Sequence, residues 1–196
     1  DAGMPMVSDP GYKLVRDCVE RGIAVDVIPG PTAPVTALAL SGLPSDRFLF
    51  AGFLSPKSGA RQRQLQELAA IPATLLLFES AARIVSSLKS IAEVMGNRPV
   101  AVAREMTKLH QEVLRGDAAH ILAQLSDRPA LKGEISIVIG PPDGETDLSE
   151  EDLSARLSDL LRDHPASKAA TLLAKQTGRP KAALYDLAVA LKNGGA

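Results

Sequence analysis

Thr74-Leu75-Leu76-Leu77-Phe78 runs into Glu79-Ser80-Ala81-Ala82-Arg83, and beyond that polar turn Ile84, Leu88 and Ile91 recur at helical spacing as far as Gly96. The first run predicts an apolar strand at 74–78. The second predicts an amphipathic helix capped at Ser80 and closed by Gly96. A strand feeding a helix is the unit of α/β folds, and the pattern repeats in both directions. Toward the C-terminus come short strands at 100–103 and 112–115, a helix at 117–125 and a strand at 134–139. Toward the N-terminus, a helix opened by Ser55-Pro56 reaches about residue 70, and a strand occupies 47–52. Before it an apolar helix at 35–40 ends at Gly42. It is fed by the rigid turn Pro29-Gly30-Pro31-Thr32-Ala33-Pro34, the best candidate for an interdomain hinge. No repeat of solenoid length is present.

The two ends of the chain read differently. It opens on a loop, Asp1-Ala2-Gly3-Met4-Pro5, after which Ser8-Asp9-Pro10-Gly11 caps a helix at 12–21. Leu14, Val15, Cys18 and Val19 form its apolar stripe, Gly22 stops it, and a strand is expected at 24–28. Loop, helix, strand is the tail of an α/β unit, so residues 1–30 are expected to be the remnant of a first α/β domain and 31–141 a second one. Pro141-Pro142-Asp143-Gly144 marks a linker. From there 148–196 is purely helical: one helix starts at Ser149 with Leu153, Leu157, Leu160 and Leu161 in register. A second starts at Ser167 with Ala170 and Leu173. Gly178 and Pro180 turn the chain into a third, with Leu184, Leu187, Ala188 and Leu191 on one stripe. Charge is segregated here. Acids dominate 141–163, whereas Lys168, Lys175, Arg179, Lys181 and Lys192 face only Asp186 beyond it. Two readings fit this tail, a nucleic-acid-binding helix-turn-helix and a small bundle with a solvated basic face.

Composition excludes several functions. With 196 residues, 45% of them hydrophobic, the chain can build a real core, but its net charge of −1 cannot hold a polyanion by bulk attraction. Any nucleic acid must meet a local basic patch. Four Phe, two Tyr and no Trp leave too few rings for a base-stacking sheet face of the RNA-recognition kind. Cys18 alone excludes an internal disulfide or a thiolate-rich metal site, and its place on the helix stripe predicts an inert core thiol. His110, His120 and His164 lack metal-ligand spacing, so no metal is expected. Neither a P-loop, a Gly-x-Gly-x-x-Gly fingerprint nor a Gly-x-Ser-x-Gly elbow occurs. No apolar run is long enough to span a bilayer, so a cytoplasmic protein with no membrane partner is expected.

What remains is a set of loop motifs at strand ends, where open α/β sheets collect ligands. They are Asp1-Ala2-Gly3-Met4-Pro5 with Ser8-Asp9-Pro10-Gly11, Ile28-Pro29-Gly30-Pro31-Thr32-Ala33, Phe78-Glu79-Ser80-Ala81-Ala82-Arg83, Ala103-Arg104-Glu105-Met106-Thr107-Lys108-Leu109-His110 and Leu131-Lys132-Gly133-Glu134. Taken together, collinear from Asp1 through the tail, they closely resemble the ribosomal RNA small subunit methyltransferase I family of tetrapyrrole-methylase-like enzymes.

That resemblance implies two α/β domains, the second with a mixed sheet, a C-terminal helical tail, and S-adenosylmethionine in the cleft between the domains. The implied activity is methylation of a cytidine ribose 2′-oxygen in 16S ribosomal RNA of the small subunit. A homodimer is compatible with it. Because most of the first domain would lie outside this sequence, the chain alone is expected to be inactive. Gly3, Pro5, Gly30, Thr32 and Ala33, with Asp1, Met4, Val7 and Phe78, are the implied donor-binding positions. Glu105, Lys108, Glu79, Arg83 and Arg104 are the charged candidates for catalysis: a glutamate to accept the hydroxyl proton, a cation to steady the oxyanion or hold phosphate. Turn chemistry for the former set and structural ion pairs for the latter are the competing readings.

Two departures from the family pattern stand out. Met4 occupies a position commonly held by Thr, and Ala81-Ala82 replaces a Pro-His pair, so no histidine role is assigned there. The alternatives are a related methylase acting on a tetrapyrrole or a protein side chain, and a non-catalytic nucleic-acid-binding protein that reads with the tail from Ser167 to Leu191.

Overall fold

The computed structural model describes residues 3–126, 128, 131–142, 150–177 and 179–193. They form two compact units, Asp1–Pro142 and Asp143–Ala196. The first begins with helices α1 (Tyr12–Glu20) and α2 (Ala33–Ser41). It continues β1 (Phe48–Phe53), α3 (Ser58–Ala69), β2 (Thr74–Ser80), α4 (Ile84–Met95), β3 (Pro99–Arg104), β4 (Glu112–Asp117), α5 (Ala118–Ser126) and β5 (Glu134–Ile139). The five strands form one sheet in the order β1-β2-β5-β3-β4. Only β1 and β2 pair in parallel; the other three ladders are antiparallel, so the sheet is mixed, as expected.

Strand side chains alternate between two faces, and that alternation divides the core. Leu75 and Leu77 of β2, Val100 and Val102 of β3, and Ile135, Ile137 and Ile139 of β5 pack with Leu65, Leu68, Ile84, Leu88, Ile91, Ile121 and Leu125 from α3, α4 and α5. Leu76, Ala101, Ala103 and Val138 face the other way, against Ala37 and Leu38 of α2. Alanines on β3 let a short helix sit close to the strands. Each fully buried Leu or Ile contributes about 1.5–3 kcal/mol of apolar transfer, so the unit has a core of its own.

β1, β2 and β3 run in the same direction, since β2 and β3 are each antiparallel to β5. Their C-terminal ends therefore share one edge of the sheet with the start of β5. Arg115 of β4 donates to the carbonyls of Leu40 and Ser41, which places the end of α2 toward the opposite edge. The start of α2, after Thr32, points back toward the edge where the recognised loops gather.

Three expectations need correcting. Residues 24–28 belong to no strand, and they are exposed throughout. A strand is stable only when its backbone groups pair with a neighbour, and the described residues offer this segment none. The stripe of α1 is not inward-facing either: no residue of that helix is buried, Leu14 and Val19 are largely exposed, and Cys18 is only half-buried. Finally, Ser80 does not cap α4. It is the last residue of β2, its carbonyl accepts the Arg83 N–H, and Arg83 stands at the N-cap of a helix that begins at Ile84.

The second unit consists of α6 (Glu150–Asp163), α7 (Ala166–Thr177) and α8 (Lys181–Asn193). Leu153, Leu157, Ala169, Ala170, Leu173, Leu184 and Ala188 form its core, the alanines allowing close helix approach. Glu150, Glu151 and Asp152 in the first turn of α6 and Arg162 in its last complement the helix dipole. Ser149 and Gly178, expected at helix boundaries, lie outside the described residues.

Candidate functional site

The two small-residue loops near the N-terminus meet. The Met4 N–H donates to the Pro31 carbonyl at 2.8 Å, and the Gly30 N–H donates to Met4 Sδ at 3.1 Å. A Cβ on Gly3 would stand 3.3 Å from the Pro31 oxygen, tighter than most Cβ contacts, so a residue without a side chain suits this crossing. Thr32 precedes the first turn of α2, its carbonyl accepting from the N–H and hydroxyl of Thr36, and Ala33 follows it. Val7 is half-buried and Pro5 exposed. Phe78 lies across the sheet from α3–α5, its ring centroid 4.9 Å from Phe50 and 5.6 Å from Phe53. Asp1 lies outside the described residues.

The charged candidates fall into two groups. In the first, Glu79 at the end of β2 is almost fully buried. Its carboxylate accepts the Ser80 N–H at 2.7 Å, the Ser87 hydroxyl of α4 at 2.6 Å and Arg83 Nη2 at 2.7 Å. Arg83 also donates to Ser80 Oγ and to the Leu54 carbonyl. The Ser87 and Arg83 bonds tie the end of β2 to the start of α4, and the Leu54 contact ties that corner to the end of β1.

In the second group Glu105 follows β3. Its Oε1 accepts the Glu134 N–H at 2.9 Å and Lys108 Nζ at 3.0 Å. The bond from the Glu134 backbone, then that from Lys108, holds the Glu105 carboxyl below its ordinary range. Lys108 Nζ also donates to Glu134 Oε2 at 3.0 Å, and its two carboxylate bonds, Glu105 first, hold the ammonium above its ordinary range. A Cβ at Gly133 would collide with the Glu105 carboxyl group. Arg104 turns aside: it pairs with Glu112 at 3.4 Å and donates to the Lys132 carbonyl. Arg128 binds the same Glu112 at 2.6 Å and, as the first cause, draws its carboxyl below the ordinary range.

Glu79 and Arg104 occupy one register row with Ile135 between them, so their backbones are about 9.5 Å apart. Glu79 is thus joined to Arg83, and Glu105 to Lys108, but the two pairs are not joined to each other. Sequence reading passed over Glu134 as a site residue, although it stands in a quoted motif; the partner that makes it relevant is 26 residues away. Glu112 and Arg128 carried no signal. Among the described residues, four non-glycines have left-handed backbone: Ser8, Glu105 and Thr107 fall in the quoted loop motifs, and Met6 lies between the first two of them. Such conformations cost about 1–3 kcal/mol each and concentrate at ligand-handling sites.

The comparisons with known proteins bear on this geometry. Residues 1–122 match the model of the Tetrapyrrole (Corrin/Porphyrin) Methylases, and 147–192 match that of the RsmI C-terminal HTH domain. A protein of Mesorhizobium japonicum called ribosomal RNA small subunit methyltransferase I is 45% identical over 98% of this chain and 66% of its own length. Its namesake in Xylella fastidiosa is 43% identical over 94% of this chain and 68% of its own. The chain belongs to the ribosomal RNA small subunit methyltransferase I family. This family's chains are longer: the present one spans about two thirds of the length of these two relatives. A crystal structure of diphthine synthase shares the tetrapyrrole methylase fold, with a TM-score of 0.54 at 18% identity over 70% of this chain and 57% of that one. Among the described residues no group of three or more His, Cys, Asp or Glu is placed to hold a metal ion, and no helix is long and apolar enough to cross a membrane.

Proposed function

We propose that the protein transfers a methyl group from S-adenosylmethionine to a cytidine ribose 2′-oxygen of 16S ribosomal RNA in the small subunit. The observation that carries this reading is the near-full-length match to relatives of that name. The geometry supports it. Residues 3–7 and 29–33 carry no charged side chain and cross backbone to backbone. A neutral, close-set surface of that kind suits a sulfonium donor, which neighbouring cations would repel. The donor supplies an activated methyl group; the protein has to align it with the acceptor oxygen and handle the proton that leaves.

Of the charged candidates, Lys108 is assigned the role of steadying the developing oxyanion. It stays cationic, is half-exposed, and with two of its three N–H donors engaged retains one for a ligand. Glu105 positions Lys108, since a carboxylate held below its ordinary range is a poor proton acceptor. Glu134, whose side chain is mostly exposed and also bonded to Lys108, is assigned the part of proton acceptor on its position alone. Glu79 and Arg83 hold the β2–α4 corner, and Arg104 the β3–β4 end. The helical unit is assigned to RNA contact, with exposed Lys168 and Lys181 meeting phosphates.

The test uses the protein as its gene encodes it, methyl-labelled S-adenosylmethionine and small ribosomal subunits. Label at one cytidine, with the following phosphodiester made resistant to alkali, is expected. Label on a base, on protein or nowhere would overturn the assignment.

A further inference from the structure

The N-terminal end of α3 gathers positive charge with which no carboxylate pairs among the described residues. Lys57 is its N-cap, Arg61 and Arg63 follow within two turns, and the first turn contains no acidic residue. Cations at the positive end of a helix dipole are repelled, and the first backbone N–H groups here receive no side-chain cap. Arg61 makes the arrangement more costly still, because the residue is only 6% exposed. Its Nε donates to Ser90 Oγ at 2.9 Å, and its Nη1 reaches the carbonyls of Ser55 and Pro56, the residues leading into the helix.

Among the described residues no carboxylate pairs with Arg61 and nothing accepts from its Nη2. Glu93 on the adjacent α4 is bonded to Gln62 instead. No described buried side-chain nitrogen or oxygen lacks a partner, so Nη2 reaches solvent. Buried guanidinium groups are ordinarily neutralised by a carboxylate or phosphate. The Arg83 guanidinium, which grips the preceding carbonyl of Leu54, has its carboxylate in Glu79; Arg61 has none. Lys57 is exposed, and a Cβ on Gly59 in the first turn would meet nothing within 4 Å, so an incoming group finds open space.

We propose that the β1–α3 corner is a phosphate seat: Arg61 Nη2, the Lys57 ammonium and the first N–H groups of α3 bind one phosphodiester of the RNA substrate. It lies at the sheet edge shared by the ends of β1, β2 and β3, outside the Glu105–Lys108 cluster, and acts by holding the RNA rather than by touching the reacting oxygen. The proposal rests on the RNA-methylating reading for the identity of the ligand, not for the existence of the seat.

Two measurements on the native protein test it. Inorganic phosphate titrated into nitrogen-15-labelled protein should shift the amides of Ser58, Gly59 and Ala60 saturably, and the shifts should shrink in Lys57→Ala and Arg61→Met. Binding to small ribosomal subunits should lose about 0.7 to 0.9 from its salt slope in each variant, as for one lost phosphate contact. Arg61→Lys should keep the slope of the parent. If Arg61→Met fails to fold, Lys57→Ala on the surface still decides the matter. Unchanged amide shifts and unchanged slopes in the variants overturn the seat. Shifts with phosphate but an unchanged slope on subunits overturn its assignment to RNA. Parent protein that binds subunits with the expected slope but transfers no methyl group refutes the catalytic reading and leaves the seat supported.

Discussion

Two glutamates stand at the C-terminal ends of β2 and β3, and they live in opposite conditions. Glu79 is sealed beneath α4 with three donors on its carboxylate, one of them Arg83. Glu105 sits on a left-handed backbone at the surface, its carboxylate shared between the Glu134 N–H and Lys108. Removing a buried charge leaves its partners desolvated and unpaired, whereas an exposed pair is screened and adds little to stability. The first corner is therefore expected to carry fold energy and the second chemistry, although both read as glutamate-plus-cation loops in the sequence.

The largest effect should come from Glu79→Ala. It strands the Ser87 hydroxyl and the Arg83 guanidinium at the start of α4, and the loss should be about 3 kcal/mol in a denaturant titration, moderated because Arg83 is partly solvated. A loss under about 1 kcal/mol would erase the distinction between the corners. Lys108→Met should do the reverse. Its melting curve should stay near that of the parent, while the single-turnover methylation rate falls roughly 10²-fold with donor affinity retained. A rate within a factor of two of the parent would return Lys108 to a surface ion pair.

Why the sequence reveals one corner's fold and not its use is a matter of range. The strand at 134–139 and the apolar recurrence of Ile84, Leu88 and Ile91 are local patterns, and both are present in the structure. The strand expected at 24–28 has the right residues, but a ladder needs a second strand, and the described residues provide none there. Ser80 fails as a cap because a buried carboxylate one residue earlier draws the turn around itself, an effect of tertiary packing. The Glu105–Lys108 spacing of three is visible in sequence, yet the Glu134 N–H that lowers the Glu105 carboxyl lies 29 residues away. Arg61 reads as an ordinary basic residue of an amphipathic helix until its burial is known.

A smaller effect should follow from Gly133→Ala. Gly133 has a φ of +99° and lies against the Glu105 carboxyl, so a methyl group there meets both backbone strain and a side chain that must move. Stability should drop by about 1–2 kcal/mol. The methylation rate should fall too, but less than in Lys108→Met, because the ammonium can still lean on Glu134. An unchanged rate would mean that the position of Glu105 does not matter to the chemistry.

The smallest effect is on the acid side of the pH profile, and its sign follows from the bonds. Glu105 has a lowered folded-state value, so its contribution is complete above the ordinary glutamate range and fades as pH falls through the lowered value. Lys108 has a raised one, so its contribution is complete below the ordinary lysine value and fades as pH rises through the raised value. Between those limits Glu105 and Lys108 stay ionised, so this pair adds no step to the rate. The Glu134 amide donates to Glu105, so its chemical shift reports the acid limb directly. In the parent its midpoint should lie below the ordinary glutamate range. In Lys108→Met it should rise, yet remain below that range, because the backbone bond is the larger cause and survives the substitution. A midpoint that does not move would separate Lys108 from Glu105 and remove the positioning role, while one that rises into the ordinary range would make the lysine, not the backbone, the dominant hold on the carboxylate.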